Sequence, residues 1–328
     1  MIAELSNSFG VSGYEEEVTQ IIKSTLTELN INHYCDKMGN VIASDYKDSN
    51  CPTVLISCGI DEKGLIVTDI TEDGYLKFDT VGDIDVKSLI SKRVKSKEIN
   101  GIISLKAIHL LSKEEREKKV KIDDLCIDIG AIDNKDAKKY VTEGDYFSFD
   151  VKYDTLGTSQ IKGKALRRAV SVNVLLNTIK NKMFKDINVI YLFAVQNEIA
   201  ARGIKTYLTT IPEIHMAVIL DCVDANKENK ISLNKGPIIA LSSNDTAISK
   251  RIIENINSYD IQHQTAFVSD ITAAEIFRGV KAHIPLITIG IPLGQKQTPI
   301  SNVYVNDIDN TEKLLNMIAE EAKNLVKQ

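Results

Sequence analysis

The stretch TVLISCGIDEKG, residues 53–64, decides the fold. Val54, Leu55 and Ile56 run without a polar break until Ser57, which is how a strand buried on both faces reads. Such a strand needs cover on both sides. The chain supplies it in alternation. Buried strands are expected at Val189–Val195, Met216–Leu220 and Leu286–Ile291, with helical patterns near 170–182, 246–258 and 271–278. An α/β fold follows, an open sheet with helices on both faces.

Working outward, Ser12 and Glu15 have the spacing of a capping box. Val18, Ile21, Ile22, Leu26 and Leu29 then make one apolar helical stripe. At the other end Thr311 reads as the cap of a last helix carrying Leu314, Leu315, Ile318 and Leu325. Between about Gly64 and Ile161 the rhythm changes. Short alternating runs such as Tyr75–Phe78 and Tyr146–Val151 are divided by the turn pairs Asp73-Gly74 and Asn100-Gly101. The charged run Ser112–Lys119 is read as a solvated face. The expected organisation is therefore residues 1–63 plus 162–328 as the α/β domain and 64–161 as a β-rich insertion.

The 328 residues are 43% hydrophobic and 26% charged, with only 17 Gly and 6 Pro, which excludes a disordered or fibrous chain. Forty Lys+Arg against 45 Asp+Glu leave a net charge of −5. No basic excess draws the chain to nucleic acid or an anionic membrane, and neither partner is expected. Cys35, Cys51, Cys58, Cys126 and Cys222 are odd in number and scattered, as reduced thiols are. The opening MIAELSNSFG has no basic or apolar leader character, and no run approaches a membrane span, so a cytoplasmic protein is expected.

Ligands of open α/β sheets collect beyond the carboxyl ends of the strands. Asp61, Glu198 and Asp221 all fall at such ends. Each alone reads as an ordinary loop acid or cap; together they suggest one site.

Around these acids the sequence resembles a known family. SNSFGVSGYEEEV, DKMGNVIA, TVLISCGIDEKGLIV, IKGKALRRAVS, YLFAVQNEIAARG and ILDCVDA follow one another over almost the whole chain, as in the tetrahedral (TET) glutamyl/leucyl aminopeptidases. The resemblance implies a zinc-aminopeptidase-like fold with an inserted β-barrel, PDZ-like dimerisation domain. It also implies a centre of two zinc or cobalt ions, and self-association as a dimer or a dodecamer.

Carried over position by position, the family's chemistry mostly fails. The first histidine falls on Gly59, leaving Asp61 of its pair. The aspartate bridging both metals falls on Arg167 and its neighbour on Arg168. The pair of glutamates, base then ligand, falls on Asn197 and Glu198; Asp221 matches a terminal ligand, and the last histidine falls at or beside Gln297. Of five ligands only Glu198 and Asp221 survive. An amide cannot serve as general base near neutral pH. Arg167, always protonated, would set a fixed cation where metals should be bridged; it is expected within reach of Glu198 or Asp221, replacing the metals structurally.

Asp270 and Arg168 are further pocket candidates, Asp270 reading equally well as the N-cap of the helix that follows. Lys235-Gly236-Pro237 reads as a turn. His33, His109, His215, His263 and His283 match no ligand position. A site rebuilt with Cys58, Glu198 and Asp221 would use cysteine as a good zinc ligand, whereas the ordinary reading of Cys58 and Cys222 is buried apolar thiol. Two functions follow: a catalytically degenerate family member without bound metal, acting as an oligomeric subunit that binds a peptide-like ligand, an active paralogue or only itself; or a hydrolase with a rebuilt, single-metal site holding zinc or cobalt.

Overall fold

A computed structural model of the chain describes all residues except 49, 97–98, 106–118, 183, 229, 243–246, 257, 269–270 and 326–328. In chain order the strands are β1 (His33–Cys35), β2 (Val41–Asp45), β3 (Thr53–Gly59), β4 (Gly64–Ile70), β5 (Leu76–Val81), β6 (Arg93–Ser96), β7 (Ile99–Leu105), β8 (Leu125–Asp128) and β9 (Tyr146–Phe149). They continue as β10 (Asp154–Leu156), β11 (Gln160–Gly163), β12 (Asn188–Ala194), β13 (Met216–Asp224), β14 (Ile238–Leu241), β15 (Gln264–Phe267), β16 (Leu286–Leu293) and β17 (Ser301–Tyr304).

The central sheet is mixed, with order β1-β2-β12-β3-β13-β16-β14-β15. β12, β3, β13 and β16 run parallel through its middle. Successive residues point to opposite faces. Val54, Ile56 and Cys58 therefore join a core with the helices Glu16–Glu28, Leu166–Lys180 and Val305–Leu325. Leu55 joins the opposite core with Arg202–Tyr207 and Thr272–Val280.

Strands β4-β5-β8-β7-β6-β9 close a barrel around Leu65, Leu76, Val94 and Phe147. β10, β11 and β17 form a small separate sheet. Where barrel and sheet meet, a fully buried polar cluster ties them. Lys164 Nζ donates to both oxygens of Glu62 (2.7 and 2.9 Å), to Ser148 Oγ and to the Ser8 carbonyl. Burial pushes the Lys164 amine down to about 8, although Glu62 pulls it up.

Three local expectations are corrected. Ser12 caps nothing. The helix starts at Glu16 with Glu15 as N-cap, and the Glu15 carboxylate instead accepts from the N–H groups of Gly13 and Gln196; tertiary donors outcompete the local box. Thr311 lies inside a helix running Val305–Leu325, its hydroxyl donating to the Asp307 carbonyl. The Asp307 carboxylate, at the true start of that helix, accepts from the N–H groups of Asn234 and Gly236, which fixes the turn expected at Lys235-Gly236-Pro237. Asp221 does not end its strand, because β13 runs on to Asp224. Residues 112–118 of the charged run lie outside the described residues.

Candidate functional site

β3 and β13 pair as far as Cys58 opposite Leu220 and part there. Asp221 is the first residue past that last pair. This is why it faces a cleft from within a strand. Into the opening reaches Arg167 from the first turn of the helix Leu166–Lys180. Its Nε and Nη2 grip Asp221 Oδ1 and Oδ2 at 2.6 Å each, and Nη1 donates to Glu198 Oε1. All three side chains are largely buried. The two-pronged geometry is the strong form of a charge-assisted pair. Burial alone would raise the Asp221 carboxyl, but the Arg167 guanidinium holds it below the usual carboxylate range.

Asp61 is 4% exposed and accepts the Glu198 backbone N–H at 2.7 Å. Among the described residues it makes no ion pair. Burial first, then the nearby Glu198 charge, push it up to about 7. A folded-state value above the unfolded one (near 3.9) means that the native state holds more protons across that window, so stability falls as pH rises from about 4 to about 7. Asp61→Asn is expected to flatten this slope and to raise stability at pH 8. Urea midpoints of both proteins at pH 5 and pH 8 check it; equal slopes would contradict the assignment.

Gly59 and Asn197 fit each other. A Cβ on Gly59 would sit 2.8 Å from Cβ, Cγ and Nδ2 of Asn197, so the amide fills the space of the missing side chain. Gly59→His alone is expected to overpack this contact and cost about 1–3 kcal/mol. Adding Asn197→Ala should recover most of the loss, as a double-mutant cycle of denaturant midpoints would read. Additive costs would break the pairing.

Gln297 turns away from the acids. Its Nε2 donates to Asp83 Oδ2 at 2.8 Å, and its carbonyl accepts the Asp85 N–H; it ties the loop after β16 to the barrel. Lys63 Nζ bonds the carbonyls of Asp83 and Lys296 along the same seam. With Asp224, Glu228 and Phe267 these groups line a cleft of about 570 Å³ in front of Arg167 and Asn197.

Arg168 is not a pocket residue. It is buried beneath the N-terminal segment, donating to the carbonyls of Leu5, Ser8 and Gly10. Neighbouring helix residues diverge by roughly 100°, so Arg167 and Arg168 serve different sites. Asp270 lies outside the described residues, and the helix it was read as capping has Ile271 at its N-cap. His109 is likewise outside them. His33 and His263 turn their rings to backbone carbonyls two residues back, and His215 Nδ1 accepts the Thr53 N–H; among the described residues no histidine lines the cleft.

Cys58 and Cys222 pack in the apolar core on the helix side of the sheet and do not line the cleft. Burial pushes Cys58 up well above its ordinary value and Cys222 up to about 12. Among the described residues no group of three or more His, Cys, Asp or Glu could hold a metal ion. The residues present do not fit a two-metal centre. A guanidinium about 4 Å from each unit of metal charge costs about 4 kcal/mol at an effective dielectric near 20, and it engages both acids that the family resemblance leaves at ligand positions.

The backbone around the site keeps unusual geometry. Ala165, Gln196, Ala200 and Ala201 all hold left-handed φ between +46° and +53°, which costs non-glycine residues about 1–2 kcal/mol each. They present Arg167 and the 197–198 pair, and sequence reading gave no sign of them.

The sequence profile of the M42 glutamyl aminopeptidase family matches residues 39–314. A relative in Acetivibrio thermocellus is 28% identical over 327 residues, covering 96% of each chain. The crystal structure of a TET aminopeptidase from a marine sediment archaeon of the Thaumarchaeota superposes with a TM-score of 0.89 at 25% identity, over 99% of this chain and 98% of that one. A Pyrococcus horikoshii TET1 peptidase, described as able to assemble into a tetrahedron or a large octahedral shell, gives 0.86 at 24% identity over 96% and 97%. No helix among the described residues is long and apolar enough to cross a membrane.

Proposed function

The chain belongs to the M42 glutamyl aminopeptidase family, and from that premise we propose that it is a catalytically degenerate member, a pseudoenzyme acting as an oligomeric binding or structural subunit. The observation that supports this reading most is the Arg167 guanidinium held between Asp221 and Glu198, where the family resemblance calls for a bridging carboxylate. The amide of Asn197 at the base position supports it further, since an amide cannot take a proton from water near neutral pH. The assembly ascribed to the Pyrococcus TET1 peptidase favours self-association, through residues 64–161 in a dimer and onward to a larger shell. An active paralogue is the other protein partner in keeping with a retained fold. The cleft suits a peptide-like ligand, and the cytoplasm is the compartment in keeping with reduced cysteines. Aminoacyl p-nitroanilide hydrolysis with added zinc or cobalt tests the reading. No turnover above buffer is expected. Metal-dependent turnover that Glu198→Gln abolishes would overturn it in favour of the rebuilt-site hydrolase.

A further inference from the structure

A second cavity, of about 300 Å³, opens where the N-terminal segment meets the barrel and shares no lining residue with the cleft. One wall carries Phe9, Tyr14 and Glu16, the other Lys95, Ser96 and Tyr146. The rings form a continuous row: Phe9 meets Tyr14 edge to face at 5.6 Å between centroids, and Tyr14 lies 6.1 Å from Tyr146.

The charges in this cavity divide into two kinds. Glu17 accepts the Phe9 N–H, and Asp145 accepts from the N–H and hydroxyl of Thr142, so both are committed to the fold. Glu16 and Lys95 are not. Neither side chain makes a hydrogen bond or ion pair among the described residues, and although they line one cavity from opposite walls they do not pair with each other. Ser96 lines the same wall as Lys95. Two unpaired opposite charges and an aromatic wall describe a complementary molecule.

We propose that this cavity binds a small zwitterion with an aromatic side group, a free aromatic amino acid: ammonium toward Glu16, carboxylate toward Lys95, ring against Phe9, Tyr14 and Tyr146. The volume is at the lower end of the roughly 300–1,000 Å³ of small-molecule sites, which suits a single residue rather than a longer peptide. The site is independent of whether the cleft is catalytic.

Calorimetric titration of the full chain with L-phenylalanine, phenethylamine and 3-phenylpropionate tests it. Phenylalanine is expected to bind, and each analogue, having lost one charged end, about 10-fold more weakly, as the loss of one charge-assisted hydrogen bond predicts. Lys95→Met should remove the advantage of phenylalanine over phenethylamine, and Glu16→Gln its advantage over 3-phenylpropionate. Both side chains are unpaired, so the folded state should survive either change with an unaltered melting curve. Absence of saturable binding at millimolar phenylalanine would overturn the proposal. So would equal affinity for all three compounds, or binding unchanged in both variants, which would put the ligand elsewhere.

Discussion

Arg167→Met is expected to destabilise the protein by about 3–5 kcal/mol, the usual cost of removing one partner from a buried ion pair. The methionine fills similar space, so the loss is electrostatic. Asp221 and Glu198 would be left largely buried with Asp61 close by, three acids whose nearby cations are reduced to Lys63 and Lys296 of the cleft. The loss has a predicted pH dependence. In the parent, the Asp221 carboxyl is held low, so its contribution is present above the unfolded value near 3.9 and disappears as pH falls through the folded one. In the variant the acids are raised instead, and the penalty grows from pH 5 to pH 8. Adding Asp221→Asn should return part of the stability. Urea unfolding at the two pH values reads all of this. A loss under about 1 kcal/mol, constant with pH, would place the pair among ordinary surface salt bridges and remove its structural role.

The second large effect is expected at Lys164. Lys164→Met leaves the Glu62 carboxylate, with its side chain 2% exposed, holding only Ser148 Oγ and the Gly10 N–H, with Arg168 at 3.5 Å. About 3–5 kcal/mol should be lost. Because this cluster joins the barrel to the sheet, the loss should appear as earlier exposure of the barrel junction, with amide exchange at Ser8–Ser12 and Tyr146–Phe149 rising together. Glu62→Gln on top of Lys164→Met should recover part of the stability, since the buried carboxylate goes with the amine and Arg168 keeps its backbone carbonyl acceptors. Failure of that rescue would show that packing of the lysine stem, not charge, matters there.

The parallel strands were legible because each is an unbroken apolar run, and a run buried on both faces has few other readings. The insertion was legible from the switch to alternating pattern. Asp61 and Glu198 were legible by position, just past the ends of such runs, whereas Asp221 lies inside a strand that runs on to Asp224. Arg167 and Asn197 acquired meaning only through family resemblance, since a lone arginine or asparagine in a loop or helix start carries no chemical signature. What stayed hidden depends on contacts distant in sequence. Nothing local tells that Asn197 fills the space at Gly59, or that Lys164 and Arg168 are buried while Arg167 faces the cleft. The capping box at Ser12 failed for the same reason, because Gln196, far along the chain, supplies the Glu15 carboxylate with a better donor. The strained alanines beside the site persist because the surrounding structure over-determines them.

In the proposed reading the Arg167 guanidinium takes the place of metal. The direct measurement is the zinc and cobalt content of purified protein after incubation with excess ion and removal of the unbound fraction. The account predicts a value near zero per chain, rising only when Arg167 is replaced by aspartate together with the histidine and glutamate positions at 59, 197 and 297. One or two ions held tightly by the unaltered chain would contradict it.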